Sequence, residues 1–190
     1  MSDTGDRAGE PAWVGEVIRF WLEETAPKAR FGKDAGLDAV IADRFGALYE
    51  KLAAVPPAPQ ALTPRLALAA LIVLDQFSRN MFRDSPRAFA ADATARAIAE
   101  AAVAARLDLA LEREARLFVY LPFEHAEDME AQDRAVSLIA ALGDDEWTRY
   151  AIAHRDIIAR FGRFPHRNAV LGRHSTPEEI EFLKRPGSSF

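Results

Sequence analysis

The sequence contains no cysteine, and this absence excludes several kinds of chemistry at once. Disulfide bonds, thiolate metal sites and cysteine nucleophiles cannot occur in a chain of 190 residues that has no thiol. The lack of disulfides is also typical of proteins that stay in a reducing compartment. We therefore expect a cytoplasmic protein.

Long apolar runs and an excess of positive charge are also missing. The longest strongly apolar run, Leu66–Leu74, is far shorter than the roughly 20 residues that cross a bilayer. Met1–Pro11 lacks the basic and apolar regions of a signal peptide. The net charge of −5 is opposite in sign to that of a general nucleic-acid-binding protein. These features predict no membrane partner and no nucleic-acid partner.

The motifs that mark common catalytic and cofactor sites are absent as well. No glycine-rich phosphate-binding loop is present, because Gly143, Gly162 and Gly172 stand alone. The four histidines lack the H-x-x-H and H-E-x-x-H spacings of metal sites, and no serine stands in a nucleophile-elbow motif. The sequence therefore predicts no cofactor and no metal, and it leaves open whether the protein is an enzyme.

Apolar residues recur at helical spacing along nearly the whole chain, and no stretch alternates as a half-buried strand does. Thr63-Pro64 and Ser85-Pro86 each place a capping residue before a proline, and Thr176–Glu179 has the pattern of a capping box. Gly162 follows an apolar stripe at the position where glycine ends a helix. Leu66–Leu74 is apolar on all sides, which is typical of a central, buried helix.

These signals predict an all-α protein of about eight helices. The expected helices cover residues 12–24, 34–54, 64 onward, 86–105, 111–121, 127–142, 145–161 and 177 onward. Short turns favour antiparallel helix pairs that stack in layers, as in a bundle or a solenoid-like array. Residues 1–11 are expected to form a disordered lead, and residues 12–190 a single helical domain.

Three polar clusters each directly follow an apolar helical segment. They are residues 75–80 after the third predicted helix, 124–128 after the fifth and 163–168 after the seventh. If consecutive helices are antiparallel, these three helices point the same way, and their C-terminal ends lie at one end of the domain. Because buried polar groups need partners, converging clusters predict either a satisfied network or the lining of a pocket. The residues predicted to line this site are Asp75, Gln76, Arg79, Asn80, Glu124, His125, His154, Arg163, His166, Arg167 and Asn168.

Residues of the first cluster also have a purely structural interpretation. Asp75 and Arg79 lie four residues apart, as do Gln76 and Asn80, and such pairs can simply brace each other on a helix. His154 lies on an apolar stripe, where a histidine is more often a satisfied core residue than a ligand.

The second and third clusters have their own alternatives. Glu124 and His125 diverge by about 100° on a continuous helix, so they make a poor chelating pair unless Pro122 has ended the helix. The basic segment 154–174 can neutralise the acidic stretch 124–133. Arginine also suits carboxylate and phosphate groups, so the same segment predicts an anion site.

Three long motifs resemble a known bacterial family. They are LDQFSRNMFRDSPRAFAAD (Leu74–Asp92), YLPFEHAED (Tyr120–Asp128) and RFGRFPHRNAVLGRHSTPEE (Arg160–Glu179). They resemble the family numbered 924 among the domains of unknown function, and the likeness runs from Phe20-Trp21 to the closing Pro-Gly-Ser-Ser-Phe. The resemblance implies a fold similar to tetratricopeptide-like helical domains and carries no established activity.

Two positions depart from the pattern of that family. Ser78 stands where the family usually has proline, and Ala126 stands where it usually has serine. Without a hydroxyl at Ala126, a serine-based mechanism at that position is not open to this chain. The resemblance transfers no catalytic residue, so the predicted site depends on the chemistry of the residues themselves.

Two classes of function fit the sequence. The first is a polar pocket at the ends of the third, fifth and seventh helices that binds a small anionic ligand, phosphate or carboxylate, with hydrolysis as one use. The second is a tetratricopeptide-like module that binds a peptide or a partner protein without catalysis. The polar clusters favour the pocket, whereas analogy of fold favours the binding module.

Overall fold

A computed structural model describes residues 9–189, which contain helices and turns but no strand, so the prediction of an all-α protein is confirmed. Of the predicted disordered lead, only residues 9–11 lie inside the described range. The α-helices are α1 (Ala12–Arg19), α2 (Pro27–Arg30), α3 (Ala35–Ala54), α4 (Pro64–Leu71), α5 (Ser78–Met81), α6 (Asp92–Ala104), α7 (Arg113–Glu124), α8 (Met129–Ala140), α9 (Asp145–Phe161) and α10 (Pro177–Leu183). Two π-helical segments, Phe20–Glu24 and Ile72–Phe77, extend α1 and join α4 to α5.

Short polar side chains begin several of these helices. Asp34 accepts hydrogen bonds from the backbone N–H groups at the start of α3, and Asp144 does the same for α9. Thr63 caps α4, with Pro64 at the first helical position as expected. The predicted capping box of Thr176 and Glu179 is present at the start of α10.

The predicted helix over residues 86–105 is divided in two. Pro86–Phe89 forms a separate 3₁₀ turn, in which the Ser85 side chain accepts a hydrogen bond from the backbone N–H of Arg87. Ala91 then leaves helical geometry, with φ −98° and ψ 2°, and α6 begins only at Asp92. A local capping bond therefore overrides the helical periodicity here, and it places Asp92 at the start of a helix.

Helix α7 runs past Pro122, where the sequence suggested an interruption. It continues to Glu124, and the backbone N–H of His125 still donates to the carbonyl of Leu121, 2.8 Å away. Proline removes one helical N–H donor and its ring crowds the carbonyl four residues earlier, but the buried packing of this helix retains the helical path. Gly162 ends α9 with a φ of 68°, as its position predicted.

The core is centred on α4 and the π-helical segment that follows it. Residues 67–74 are each at most 2% exposed, which confirms the prediction of a central helix. Helices α1, α6 and α7 pack on α4, and α3 packs on the π-helical segment. Phe20, Phe45 and Phe77 contact one another at ring-centroid distances of 4.8–5.9 Å.

A smaller apolar cluster holds the C-terminal part of the chain. Ile157, Ile158 and Phe164 form its centre, with Phe161 and Phe182 packed against it. Across residues 9–189, no helix combines the length and the apolar character that a membrane crossing needs. The tetratricopeptide-like stacking of helix pairs stays a prediction.

Candidate functional site

The π-helical segment Ile72–Phe77 places two polar residues, Asp75 and Gln76, inside the core. Residues 64–81 form one continuous helical rod, and the wider π turn lies in its middle. Such segments are rare and frequently occur at functional sites. Asp75 is only 1% exposed, so its carboxylate has to find its partners within the protein.

Asp75 orients His125, the first residue after α7. Nδ1 of His125 lies 2.8 Å and 3.0 Å from the two carboxylate oxygens, and Gln76 Nε2 donates to one of them at 2.6 Å. An ionised carboxylate only accepts hydrogen bonds, so Nδ1 carries the hydrogen and Nε2 carries the lone pair. The first and second polar clusters therefore meet.

Arg79 neutralises two carboxylates in the same region. Its guanidinium forms a forked pair with Asp92, with both N–O distances at 3.1 Å, and it also lies 3.3 Å from Asp75 Oδ1. The predicted Asp75–Arg79 pair is thus present. Burial alone would raise the pKa of Asp75, but the charge of Arg79 and the contact with His125 outweigh it and hold that pKa well below its usual range.

Glu124 and His154 form a second buried acid–imidazole pair. Oε1 of Glu124 lies 3.2 Å from Nδ1 of His154. The same Nδ1 donates its hydrogen to the carbonyl of Tyr150 at 2.8 Å. Burial, with the negative charge of Asp75 second, raises the pKa of Glu124 to about 8. Burial also lowers the pKa of His154 to about 3. Near neutral pH this pair consists of a protonated acid and an uncharged imidazole.

Arg167 connects the third polar cluster, residues 163–168, to the other two. Its guanidinium lies between the rings of Phe89 and Phe164, 4.6 Å and 4.5 Å from their centroids, and the residue is 6% exposed. Its ion pair is one 3.4 Å contact with Asp92, and no described residue accepts a hydrogen bond from its buried Nε. Burial, followed by the charge of Arg79, lowers the pKa of Arg167 to about 10.

His166 lies beside this arginine and against the ring of Phe164, with centroids 5.6 Å apart. Burial lowers its pKa to about 4, and the positive charge of Arg167 adds to this effect. His166 is therefore uncharged near neutral pH, like His154. We refer to Asp75, Gln76, Arg79, Asp92, Glu124, His125, His154, His166 and Arg167 as the polar cluster.

Three of the residues predicted for the site make their contacts elsewhere. Asn80 donates to Asp38 on α3 at 2.8 Å, so the predicted pair of Gln76 with Asn80 is wrong. Arg163 pairs with Glu179 at 2.7 Å. The amide of Asn168 donates to Ser175 and to the same glutamate. Because these partners come from α3 and α10, the three residues brace other parts of the chain.

The structural interpretation of the basic segment has direct support. Arg173 forms a forked pair with Glu127, and Arg155 pairs with Asp133 at 2.7 Å. Both acidic partners belong to the stretch 124–133, so part of the segment does neutralise it. Arg167 is the arginine of this segment that instead joins the polar cluster.

Asp92 and the two rings around Arg167 were missed by reasoning from the sequence. Asp92 lies thirteen residues after Arg79, a separation that no helical spacing relates. The one signal for it was that the first family-like motif ends at this residue. Phe89 and Phe164 lie in short 3₁₀ connections, where apolar periodicity gives no information.

The polar cluster is nearly closed to solvent. The side chains of His125, Arg79 and Asp92 are 15%, 21% and 23% exposed, and they form its accessible edge. A surface cavity of about 250 Å³ lies elsewhere, against Ile157, Arg160 and Phe182. The open pocket expected between the three polar clusters stays a prediction.

Comparisons with other proteins agree with this fold. The family described as bacterial proteins of unknown function (DUF924) matches residues 17–187. A solved structure, that of the protein of unknown function ATU0120 from Agrobacterium tumefaciens, is 40% identical in sequence. It superposes with a TM-score of 0.86 over 91% of this chain and 97% of its own. No curated protein matches the chain significantly.

Proposed function

Because this chain belongs to the DUF924 family of bacterial proteins of unknown function, we propose its role from its own residues: the polar cluster binds a small anionic ligand, a phosphate or a carboxylate. Arg167 is the anchor of this site, and Arg79 and His125 form its accessible edge. The observation that carries the proposal is the incomplete pairing of a buried arginine.

A buried guanidinium without full pairing costs free energy. Arg167 is 6% exposed, yet its single ion pair is 3.4 Å long, and its Nε donor has no partner among the described residues. Desolvating a charge costs several kcal/mol unless close partners compensate for it. An anionic ligand on Arg167 would supply the missing compensation.

Two other arginines of the chain have more and shorter contacts than Arg167. Arg83 makes a forked pair with Asp38 and donates to the carbonyl of Gly32 at 3.0 Å. Arg173 makes a forked pair and also contacts a backbone carbonyl at 3.2 Å, although its buried Nε, like that of Arg167, has no partner among the described residues. Both are more exposed than Arg167, although they have more and shorter contacts. The weakly paired arginine is thus the most deeply buried of the three.

The charges of the polar cluster also favour an anion. Asp75 and Asp92 carry negative charge, but Arg79 pairs with both, at 3.3 Å from Asp75 and 3.1 Å from Asp92. Glu124 is protonated near neutral pH because burial raises its pKa to about 8, so it adds no competing charge. The positive charge of Arg167 is therefore the least compensated in the polar cluster.

The proposal is tested by calorimetry with inorganic phosphate and with succinate. The two proteins compared are the unsubstituted protein (the parent) and Arg167→Met. Methionine retains much of the packing between Phe89 and Phe164 but removes every donor. A charged hydrogen bond contributes about 1.5–3 kcal/mol, so affinity should fall about 10- to 100-fold. Binding by the parent should also weaken as the salt concentration rises.

Arg160→Met is the matched control for this experiment. Arg160 belongs to the same basic segment, but it is exposed and pairs with Glu178 on the surface. Its replacement should leave affinity unchanged. A parent protein that binds neither anion, or equal losses in both variants, would overturn the proposal and favour the alternative of a peptide-binding module.

A further inference from the structure

Two histidines and a glutamate of the polar cluster lie close enough together to contact one bound ion. One donor atom each from Glu124, His125 and His154 can be chosen so that all three lie within 4.8 Å of one another. We infer that these residues form a binding site for a divalent transition-metal ion of the zinc type. This goes beyond the proposed anion site and does not depend on it.

The adjacency of Glu124 and His125 argued against shared coordination on a continuous helix. In the structure α7 ends at Glu124, and His125 occupies the capping position with φ −82° and ψ −6°. The two side chains thus belong to the end of a helix, and their donor atoms come together despite their adjacency. His154 completes the set from the middle of α9.

Both imidazoles are oriented as metal-binding histidines usually are. Such histidines donate their second ring N–H to a carboxylate or a backbone carbonyl, which fixes the tautomer and the ring direction. His125 does this through Nδ1 to Asp75, so its Nε2 is the nitrogen that can coordinate. Nδ1 of His154 donates to the Tyr150 carbonyl at 2.8 Å, which holds this ring beside Glu124.

The donor set selects the class of metal. Two imidazoles and one carboxylate suit zinc and neighbouring transition metals, whereas calcium and magnesium prefer oxygen donors. Glu124 supplies the carboxylate by releasing its proton to solvent when the metal binds. Three protein ligands also leave a coordination position for water or for another ligand. The positive charge of Arg79 is offset by Asp75 and Asp92, so it does not by itself exclude a cation.

Metal binding is measured on the full chain after treatment with a chelator and dialysis. Calorimetry with Zn²⁺ should give one ion per chain, and Co²⁺ should give the visible absorption of a nitrogen- and oxygen-coordinated ion. Glu124→Gln and His154→Gln should abolish both signals while circular dichroism stays helical. Asp75→Asn retains the three ligands but weakens the orientation of His125, so affinity should fall about 10- to 100-fold.

His174→Ala is the matched control, since His174 is an exposed histidine. It should leave the stoichiometry and the affinity unchanged. The inference is wrong if the parent binds no Zn²⁺ under these conditions, or if Glu124→Gln and His154→Gln bind it as the parent does. Phosphate calorimetry repeated with a chelator present separates the two proposals, because anion binding that survives without metal supports the anion site alone.

Discussion

At the scale of single residues, Asp75 has more side-chain partners than any other carboxylate of the polar cluster. It accepts from His125 and from Gln76, and it lies 3.3 Å from a guanidinium nitrogen of Arg79. Asp92 remains as a partner for Arg79, whereas the imidazole of His125 and the amide of Gln76 both donate to Asp75. The buried partners of Asp75 therefore determine what its removal costs.

Replacing Asp75 by alanine should lower the free energy of unfolding by about 3 kcal/mol, because it leaves buried polar groups without their acceptor. Urea denaturation of both proteins measures this difference. Asp156→Ala is the control, since Asp156 is exposed and pairs only at the surface. A loss for Asp75→Ala no larger than that of the control would show that the polar cluster contributes nothing to stability.

At the scale of elements, α10 is fastened to the preceding loop through one carboxylate. Glu179 is 2% exposed, and it accepts from Arg163, from the amide of Asn168 and from the backbone N–H of Thr176. The hydrogen bond from Arg163 is the main reason why the pKa of Glu179 falls to about 2. Arg163 and Asn168 therefore position a helix.

This pairing predicts a pH dependence of stability. The folded-state pKa of about 2 lies below the ordinary value of 4.5, so the contribution of Glu179 is fully present above pH 4.5 and is lost as the pH falls toward 2. Arg163 is partly exposed, so we expect about 2 kcal/mol rather than the full shift.

The contribution of Glu179 is isolated by comparing the unfolding free energies of the parent and Glu179→Gln from pH 6 to pH 2. It should shrink over that interval, because other carboxylates titrate equally in both proteins. Glu178→Gln, which removes a surface ion pair one residue away, should give a small and nearly constant difference. A constant difference for Glu179→Gln would contradict the assignment.

At the scale of the whole molecule, local signals predicted most of the helices. Caps at Thr63 and Thr176, the glycine at Gly162 and the apolar run Leu66–Leu74 act within a few residues, so the sequence shows them directly. The division of residues 86–105 was not predicted, because the capping bond of Ser85 competes with a helical pattern that is equally local.

The membership of the polar cluster could be predicted only in part. The contact of Asp75 with His125 follows from helices whose ends lie together, which the arrangement of short turns suggested. The partner of Asn80 and the second partner of Arg79, Asp92, could not be inferred, because they depend on how α3 and α6 pack. The sequence shows which residues are polar after each helix, whereas tertiary packing decides where each one points.

The enclosure of Arg167 by Phe89 and Phe164 has a kinetic consequence. If an anion reaches this guanidinium only after the Phe89 ring moves, opening limits the rate of association, and the observed rate levels off as ligand concentration rises. Phosphorus NMR relaxation dispersion with inorganic phosphate measures that rate. Phe89→Ala should remove the plateau, whereas Phe31→Ala, at an exposed ring, should retain it. A rate that rises linearly in the parent would mean that the arginine is reached without any rearrangement.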